Sequence, residues 1–223
     1  MRISNLKKAF EKFSLHIEDL DIGQGMINGL IGPNGCGKTT LMKMMAGITP
    51  PDCGHIDYDG LLARDITMVF RKPYLLHDTV LRNLTYPLAI RKIVPDMGRV
   101  DHFLDIAGLQ GSRNQYALSL SSGEQQKLSL IRALIFFPKL IFIDEAFSNM
   151  DIESVAFFED YILDMQKSKP ITWVIVSHQL SNIKRLCEYV YFMHDGAINA
   201  SGPTDDILLE PRNPELKRYL QYM

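Results

Sequence analysis

Short apolar runs alternate with helical patterns along most of the chain, and four of the runs end in a polar residue or loop. They are MINGLI at 26–31, ITMVF at 66–70, LIFI at 140–143 and WVIV at 173–176. Short runs of this kind are typical of buried strands, and their alternation with helices favours a mostly parallel sheet covered by helices. Ligands of such sheets bind beyond the carboxyl ends of the strands. The pattern therefore predicts a functional site at that edge of the sheet.

Two segments depart from this pattern. Alternation in FSLHIEDLDI, within the first 25 residues, predicts antiparallel strands. Between about 76 and 130 the strand signal fades, and LHDTVLRNLTYPLAIRKIV and MGRVDHFLDIAGL have helical spacing. We therefore predict one α/β domain over 1–223, in which a core of residues 1–75 and 131–223 carries an inserted helical lobe at about 76–130.

Composition and charge narrow the class of protein. The chain has 223 residues, 46% of them hydrophobic, and a formal charge of −2, so its charge gives no reason to expect a nucleic-acid partner. Pro138 and Lys139 interrupt the longest apolar stretch, and no run approaches the roughly 18 apolar residues of a membrane span. The start, MRISNLKKAFEKF, is too charged for a secretion signal. Three cysteines without C-x-x-C spacing favour a reduced, cytosolic setting.

The first apolar run leads into GPNGCGKTT, which fits the phosphate-loop pattern G-x-x-x-x-G-K-[ST]. The candidate ATP-binding residues are Gly32, Pro33, Asn34, Gly35, Cys36, Gly37, Lys38, Thr39 and Thr40. The glycines let successive amides point inward, and the following helix adds its positive end. Lys38 is expected to reach the β- and γ-phosphates, and the Thr39 hydroxyl to ligate Mg²⁺. ATP and Mg²⁺ are the predicted cofactors; the alternative is a tight strand–helix turn.

Polar residues at two further strand ends complete a candidate catalytic set. Asp144 follows four apolar residues, as expected of the carboxylate that holds Mg²⁺, and Glu145 is the candidate general base. His178 ends VIVSH, which puts it near the γ-phosphate as a hydrogen-bond donor. The alternative for both carboxylates is that they cap the following segment, and for His178 that it is an ordinary surface or core residue.

The segment SLSSGEQQKLSLIRAL contains the capping box Ser121-x-x-Glu124, followed by helical spacing of apolar residues. Capping does not explain Gly123, which weakens the first turn of a helix. A glycine there would let a phosphate approach the backbone amides closely.

The phosphate loop, LSSGEQQ, LIFIDEAFSNMD and VIVSH, in this order and spacing, resemble the ATPase subunit of an ABC transporter over nearly the whole chain. The resemblance implies a phosphate-loop NTPase fold with an antiparallel N-terminal subdomain and a helical lobe. It also implies a head-to-tail dimer that holds each ATP between one subunit's loop and the other's signature. The residues expected to bind ATP in trans are Ser121, Ser122, Gly123, Glu124 and Asp151. Phe10 matches the aromatic residue that stacks on adenine; the alternatives are that Phe10 belongs to the core or that Phe13 has this role.

The same resemblance implies partners. Residues from about 72 to 95 are similar to the surface that receives the membrane permease subunits, which would hold the ATPase at the cytoplasmic face of the membrane. A homodimer is favoured over a heterodimer. The stretch ARDITMVFRKPYLLHDTVLRNLTYPL resembles subunits of small-solute importers, including those for tungstate or molybdate, and an extracytoplasmic solute-binding protein would accompany an importer. A lipid or peptide exporter is the alternative.

Three positions differ from the family pattern. Arg71 stands where glutamine is usual, and its guanidinium would either contact phosphate or point to solvent. Ser122 replaces a glycine, and Glu124 replaces the commoner glutamine. Two hypotheses follow: an active homodimeric ATPase, or a catalytically weak half of an asymmetric pair. A soluble ABC-type ATPase of translation or DNA repair and a nucleotide-binding module without hydrolysis are further alternatives.

Overall fold

The computed structural model describes residues 1–222, and over these residues the chain forms nine strands and eight α-helices. The strands are β1 Arg2–Phe10, β2 Phe13–Asp21, β3 Ile27–Ile31, β4 Cys53–Asp57, β5 Ile66–Val69, β6 Leu140–Asp144, β7 Thr172–Val176, β8 Tyr189–His194 and β9 Ala197–Pro203. The helices are α1 Lys38–Met45, α2 Val80–Ile90, α3 Met97–Ile106, α4 Ser122–Leu134, α5 Ile152–Ser168, α6 Leu180–Leu186, α7 Thr204–Leu209 and α8 Pro214–Gln221.

The larger sheet has six strands in the order β5-β6-β7-β3-β8-β9, parallel throughout except that β9 is antiparallel to β8. Strands β3, β6 and β7 are buried along their whole length, as continuous apolar strands are when helices cover both faces of a parallel sheet. The four apolar runs lie on β3, β5, β6 and β7. The carboxyl ends of β3, β5, β6, β7 and β8 therefore meet at one edge of the sheet.

A second, antiparallel sheet of three strands in the order β2-β1-β4 covers one side of the core. Alternate residues of β1 and β2, such as Leu6 and Leu15, are fully buried and belong to the same apolar cluster as Leu41 and Met42 of α1. The alternation that predicts strands in this region thus has its usual physical origin, one buried and one exposed face.

No strand lies between 70 and 139. This segment holds α2, α3 and α4, and α2 packs on α4. Leu128, Ile131 and Leu134 give α4 a fully buried face. The predicted fold class is confirmed: a mostly parallel α/β sheet, an antiparallel N-terminal sheet and a helical insertion. No helix within residues 1–222 combines the length and the apolar character needed to cross a membrane.

Candidate nucleotide-binding site

The phosphate loop joins β3 to α1, and all three of its glycines have positive φ, of which Gly32 and Gly37 are also closely packed. Gly32 has φ 150° and Gly37 has φ 108°. A Cβ atom on Gly32 would lie 2.0 Å from the Met193 carbonyl oxygen, and one on Gly37 would lie 2.7 Å from Cζ of Phe13. Glycine is therefore required at both positions by the packing of the loop itself. Asn34, Gly35 and Thr39 are exposed, so the open side of the loop faces solvent.

Lys38 begins α1 and folds back over the loop. Its Nζ donates to the carbonyl oxygens of Gly32 at 2.7 Å and Pro33 at 3.0 Å, and the residue is 7% exposed. An ammonium has three donors, so this arrangement holds the charge at the mouth of the loop. Burial raises the pKa of the neighbouring Cys36 thiol, and the charge of Lys38 only partly offsets that effect. Cys36 is thus a packed side chain of the loop.

Thr39 and Asp144 are joined across the edge of the sheet. The Thr39 hydroxyl donates to Asp144 Oδ2 at 2.9 Å, with Oδ1 at 3.1 Å. Asp144 ends β6 and is 5% exposed. Burial raises the pKa of its carboxyl, the hydrogen bond from Thr39 lowers it, and the charge of Glu145 raises it further.

This pair of oxygen donors fits a magnesium site. Residues 1–222 contain no group of three or more histidine, cysteine, aspartate and glutamate side chains able to hold a metal alone. Mg²⁺ is usually bound by one or two protein groups together with water and substrate phosphates. The Thr39 hydroxyl and the buried Asp144 carboxylate beside the phosphate loop have that chemistry.

Glu145 lies between two positively charged or hydrogen-bonding side chains. Its Oε1 is 2.6 Å from His178 Nε2, and its Oε2 is 2.9 Å from Arg71 Nη1. The Glu145 backbone has φ 51°, and its N–H donates to the Val176 carbonyl at 3.0 Å. Strained backbone of this kind is concentrated at functional sites. The ends of β5, β6 and β7 thus bring Arg71, Glu145 and His178 together.

Two alternatives that the sequence leaves open do not match the structure. Neither Asp144 nor Glu145 caps a helix, since α5 begins only at Ile152 and Asp151 is its cap. Arg71 does not simply point to solvent, although 65% of its side chain is exposed, because its guanidinium faces Glu145. The Arg71–Glu145 contact is a close ion pair without an aligned hydrogen bond.

The residues expected to act in trans form a capped helix start. The Ser121 hydroxyl accepts from the Glu124 N–H at 3.3 Å, and the Glu124 carboxylate accepts from the Ser121 N–H at 2.9 Å. Hydrogen bonds from the Ser121 hydroxyl and then its N–H lower the pKa of Glu124. Ser121 and Ser122 are exposed, and within residues 1–222 no hydrogen bond or ion pair joins 121–124 to the phosphate loop.

Gly123 and Asp151 both have structural roles within the subunit. A Cβ atom on Gly123 would lie 3.2 Å from the Asn149 carbonyl oxygen, so close packing already favours glycine there. Asp151 accepts from the Ser154 N–H at 2.8 Å and lies 3.7 Å from Lys127 Nζ of α4. Contacts of either residue with a nucleotide stay a prediction.

The two candidate adenine-binding aromatics lie side by side at the turn between β1 and β2. The Phe10 and Phe13 rings are stacked with centroids 6.2 Å apart. Phe10 is 48% exposed, whereas the edge of Phe13 packs against Gly37. The exposed face of Phe10 is available to an adenine ring, and Phe13 supports both Phe10 and the loop.

A cavity of about 650 Å³ adjoins the phosphate loop and includes residues that sequence reasoning missed. Gly32, Asn34 and His178 line one side of it, and α8 closes the other with Arg218 and Tyr219. His194 also lines this cavity. Its position at the carboxyl end of β8 is the same signal that identified His178. The contribution of α8 had no sequence signal.

Fold and site together define a phosphate-loop ATPase. The profile of the ABC transporter family matches residues 15–148, and the chain belongs to that family, as one of its ATP-binding and ATP-hydrolysing subunits. The tungstate uptake system ATP-binding protein TupC of Peptoclostridium acidaminophilum is 34% identical over 203 residues, which are 88% of this chain and 95% of that protein.

Other similar proteins extend this comparison. The Fe(3+) ions import ATP-binding protein FbpC of Photobacterium profundum is 32% identical over 212 residues, covering 91% of this chain but only 60% of that protein. Among solved structures, the chain is similar to the ATP-binding cassette MJ0796, in a dimeric post-hydrolysis structure bound to ADP and Pi. The TM-score is 0.79 at 24% identity, and the match covers 91% of this chain and 98% of the MJ0796 chain. The latter similarity shows the fold.

Proposed function

We propose that two copies of this chain bind and hydrolyse MgATP and thereby drive import of a small solute or oxyanion through separate membrane permease subunits. The proposal rests on two contacts beside the phosphate loop: the hydrogen bond between Thr39 and Asp144, and the close contact between Glu145 and His178. These are the groups that hydrolysis of a phosphoanhydride requires: a cation site, a base and a donor at the transferred phosphate.

Each group has a distinct task in this mechanism. Lys38 exchanges its bonds to the loop carbonyls for the β- and γ-phosphates, and the loop amides bind the remaining phosphate oxygens. Glu145 orients the attacking water and takes its proton. His178 contacts both the γ-phosphate and Glu145 and so fixes their relative positions. Thr39 and Asp144 would hold Mg²⁺, which neutralises charge on the β- and γ-phosphates when bound. Phe10 stacks on adenine.

Dimerisation supplies what one subunit lacks. The first amides of α4 are capped only by Ser121, and the exposed Ser121 and Ser122 hydroxyls lie at the positive end of the helix, where anions bind. We propose that this end, with Asp151 nearby, completes the site of the opposite subunit. The dimeric structure of MJ0796 bound to ADP and Pi supports a dimer of such chains.

The permease is proposed to dock on an apolar surface of the helical region. Tyr86, Ile90, Ile93 and Val94, which we call the α2 patch, are 46%, 58%, 40% and 88% exposed. Exposed apolar patches mark interaction sites, and this one lies within the predicted docking segment 72–95. Binding there would hold the chain at the cytoplasmic face of the membrane.

The proposed cargo is tungstate or a similar oxyanion, delivered by an extracytoplasmic solute-binding protein. The similarity to a tungstate uptake ATPase over 95% of that protein's length supports this class. The similarity to an iron import protein supports import of a small solute but covers a smaller part of that protein.

Co-purification and uptake test these proposals separately. The chain is expressed with a candidate permease, and the complex is assayed for phosphate release and for uptake of tungstate, molybdate and sulfate. Val94→Asp is expected to abolish permease binding, whereas Leu209→Asp, at a residue of α7 that is 59% exposed, is the matched control. Co-purification of ribosomes or DNA instead of a permease would refute the transport proposal. Preferential uptake of a solute other than an oxyanion would refute the proposed cargo class.

A further inference from the structure

We propose that Arg71 is a positioning residue that holds Glu145 away from the attacking water until the signature helix α4 moves. The inference rests on the proposed function, because it assigns Glu145 as the general base. It adds a residue of this chain that controls when the base is available.

The first observation is that both carboxylate oxygens of Glu145 face a partner. His178 Nε2 lies 2.6 Å from Oε1, and Arg71 Nη1 lies 2.9 Å from Oε2. A general base must come within about 2.6–3.2 Å of the water that it deprotonates. The guanidinium occupies that distance from Oε2 and so competes with water for this oxygen. The Glu145 side chain is only 12% exposed, which leaves little room for both.

The second observation is that the residue before Arg71, Phe70, is hydrogen-bonded to α4. The Gln126 Nε2 of α4 donates to the carbonyl oxygen of Phe70 at 3.1 Å, and Gln126 is fully buried. Phe70 directly precedes Arg71. A shift of α4 relative to β6 would therefore carry the backbone of Arg71 with it and alter the distance between the guanidinium and Glu145.

The third observation concerns the cost of release. The Arg71 side chain is 65% exposed, so water replaces Glu145 as its partner when the pair opens. Ion pairs with an exposed member are weak, and a weak pair is suited to a contact that opens in every turnover. Engagement of the exposed N-terminus of α4 by the nucleotide of the opposite subunit supplies the movement.

Steady-state phosphate release from the full chain tests this role. We expect Arg71→Gln to raise kcat about 1.5-fold to fivefold, the range for losing a weak ion pair, with KM for ATP and Tm unchanged. Arg71→Lys keeps the charge but has a single ammonium, and its kcat is expected between those of the other two proteins. Lys184→Gln, which removes the same charge from an exposed residue of α6, should leave kcat unchanged.

A double-mutant cycle tests the link to α4. Gln126→Met has a similar volume but cannot donate to Phe70, so movement of α4 no longer withdraws Arg71 from Glu145. It is expected to lower kcat in the wild-type background and to leave kcat unchanged in the Arg71→Gln background. Gln126→Glu removes the same donor and is closer in shape to glutamine. It is used instead of Gln126→Met if that variant lowers Tm. A merely structural role for Gln126 would change both backgrounds equally.

Several outcomes would overturn the inference. An unchanged kcat in Arg71→Gln would mean that Arg71 has no role in turnover. A reduced kcat with an increased KM for ATP would indicate that Arg71 binds phosphate. An equal rise of kcat in Lys184→Gln would mean that the effect depends on net charge. Hydrolysis by Arg71→Gln but not by the wild type would support it strongly. Absence of phosphate release from both proteins would instead refute the proposed ATPase reaction, and the inference with it.

Discussion

Asp144→Asn is expected to stabilise the nucleotide-free protein while removing its response to MgATP. Asp144 is 5% exposed and stands next to a second carboxylate, Glu145. Its hydrogen bond from the Thr39 hydroxyl is kept in the variant, because the asparagine Oδ1 accepts in the same way. What the substitution removes is the cost of burying a negative charge, which is the main reason for the raised pKa of this carboxyl.

The magnitude follows from burial and chain length. Removing the cost of burying this charge is expected to add about 1 kcal/mol to the free energy of unfolding, within the usual range for a single stabilising substitution. For a domain of this size that gain raises Tm by about 2–4 °C. An acid whose pKa is raised by folding binds its proton more tightly in the folded state. The advantage of Asp144→Asn is therefore complete at neutral pH and shrinks as the pH falls through the raised pKa towards the ordinary value of 3.8.

Thermal unfolding with and without nucleotide is the assay. MgATP at a hundredfold excess over Kd adds about 2.7 kcal/mol to a protein that binds it. The order of the two Tm values should thus reverse: the variant is higher without ligand, and the wild type is higher with MgATP. ATP with EDTA should leave the original order. A variant with lower Tm in the absence of ligand, or one stabilised by MgATP as much as the wild type, would refute the assignment of Asp144 as a buried cation ligand.

Three further substitutions have defined outcomes. Glu145→Gln should lower kcat by about 10²–10⁴ with little change in ATP binding, and an unaffected kcat in single-turnover assays would exclude Glu145 as the base. Ser121→Ala removes the acceptor for the Glu124 N–H and should cost about 1 kcal/mol in urea unfolding; no loss would mean that the cap is not formed in solution. Gly37→Ala should cost about 1–3 kcal/mol and weaken ATP binding, because its Cβ meets Phe13. Gly35→Ala, with φ 80° but no heavy atom within 4 Å of the added Cβ, should cost less; equal losses would mean that backbone strain alone sets the effect.

The sheet and its functional edge were predictable because they depend on local patterns. A continuous apolar run such as LIFI has few alternatives to a buried strand, and a run that ends in Asp144 and Glu145 places these carboxylates at the edge where ligands bind. The phosphate loop was predictable for a similar reason. Its glycines are required by close contacts with the chain around them, so the motif specifies its own geometry.

The partners of the site residues were not predictable, since they depend on distances between segments far apart in the chain. Arg71 and Glu145 are 74 positions apart, and nothing near Arg71 in the sequence indicates that its guanidinium faces the Glu145 carboxylate. The wall of the cavity formed by α8 is a similar case, because packing of this helix beside the phosphate loop depends on tertiary contacts. Gly123 is a further case, because the nearby Asn149 carbonyl gives a packing reason for glycine that the sequence does not show, while contact of Gly123 with a nucleotide stays a prediction.

The N-terminal half of α4 is connected to both loops at the carboxyl edge of the sheet, and in the proposed dimer this connection would let one subunit sense the nucleotide of the other. Gln126 bonds to the Phe70 carbonyl in the segment after β5, while Gly123 and Lys127 contact Asn149 and Asp151 in the segment after β6. A rigid helix held at both places moves them together. Contact of its exposed tip with a phosphate would therefore shift the surroundings of the base from two sides, without any direct contact between the tip and the base in one subunit.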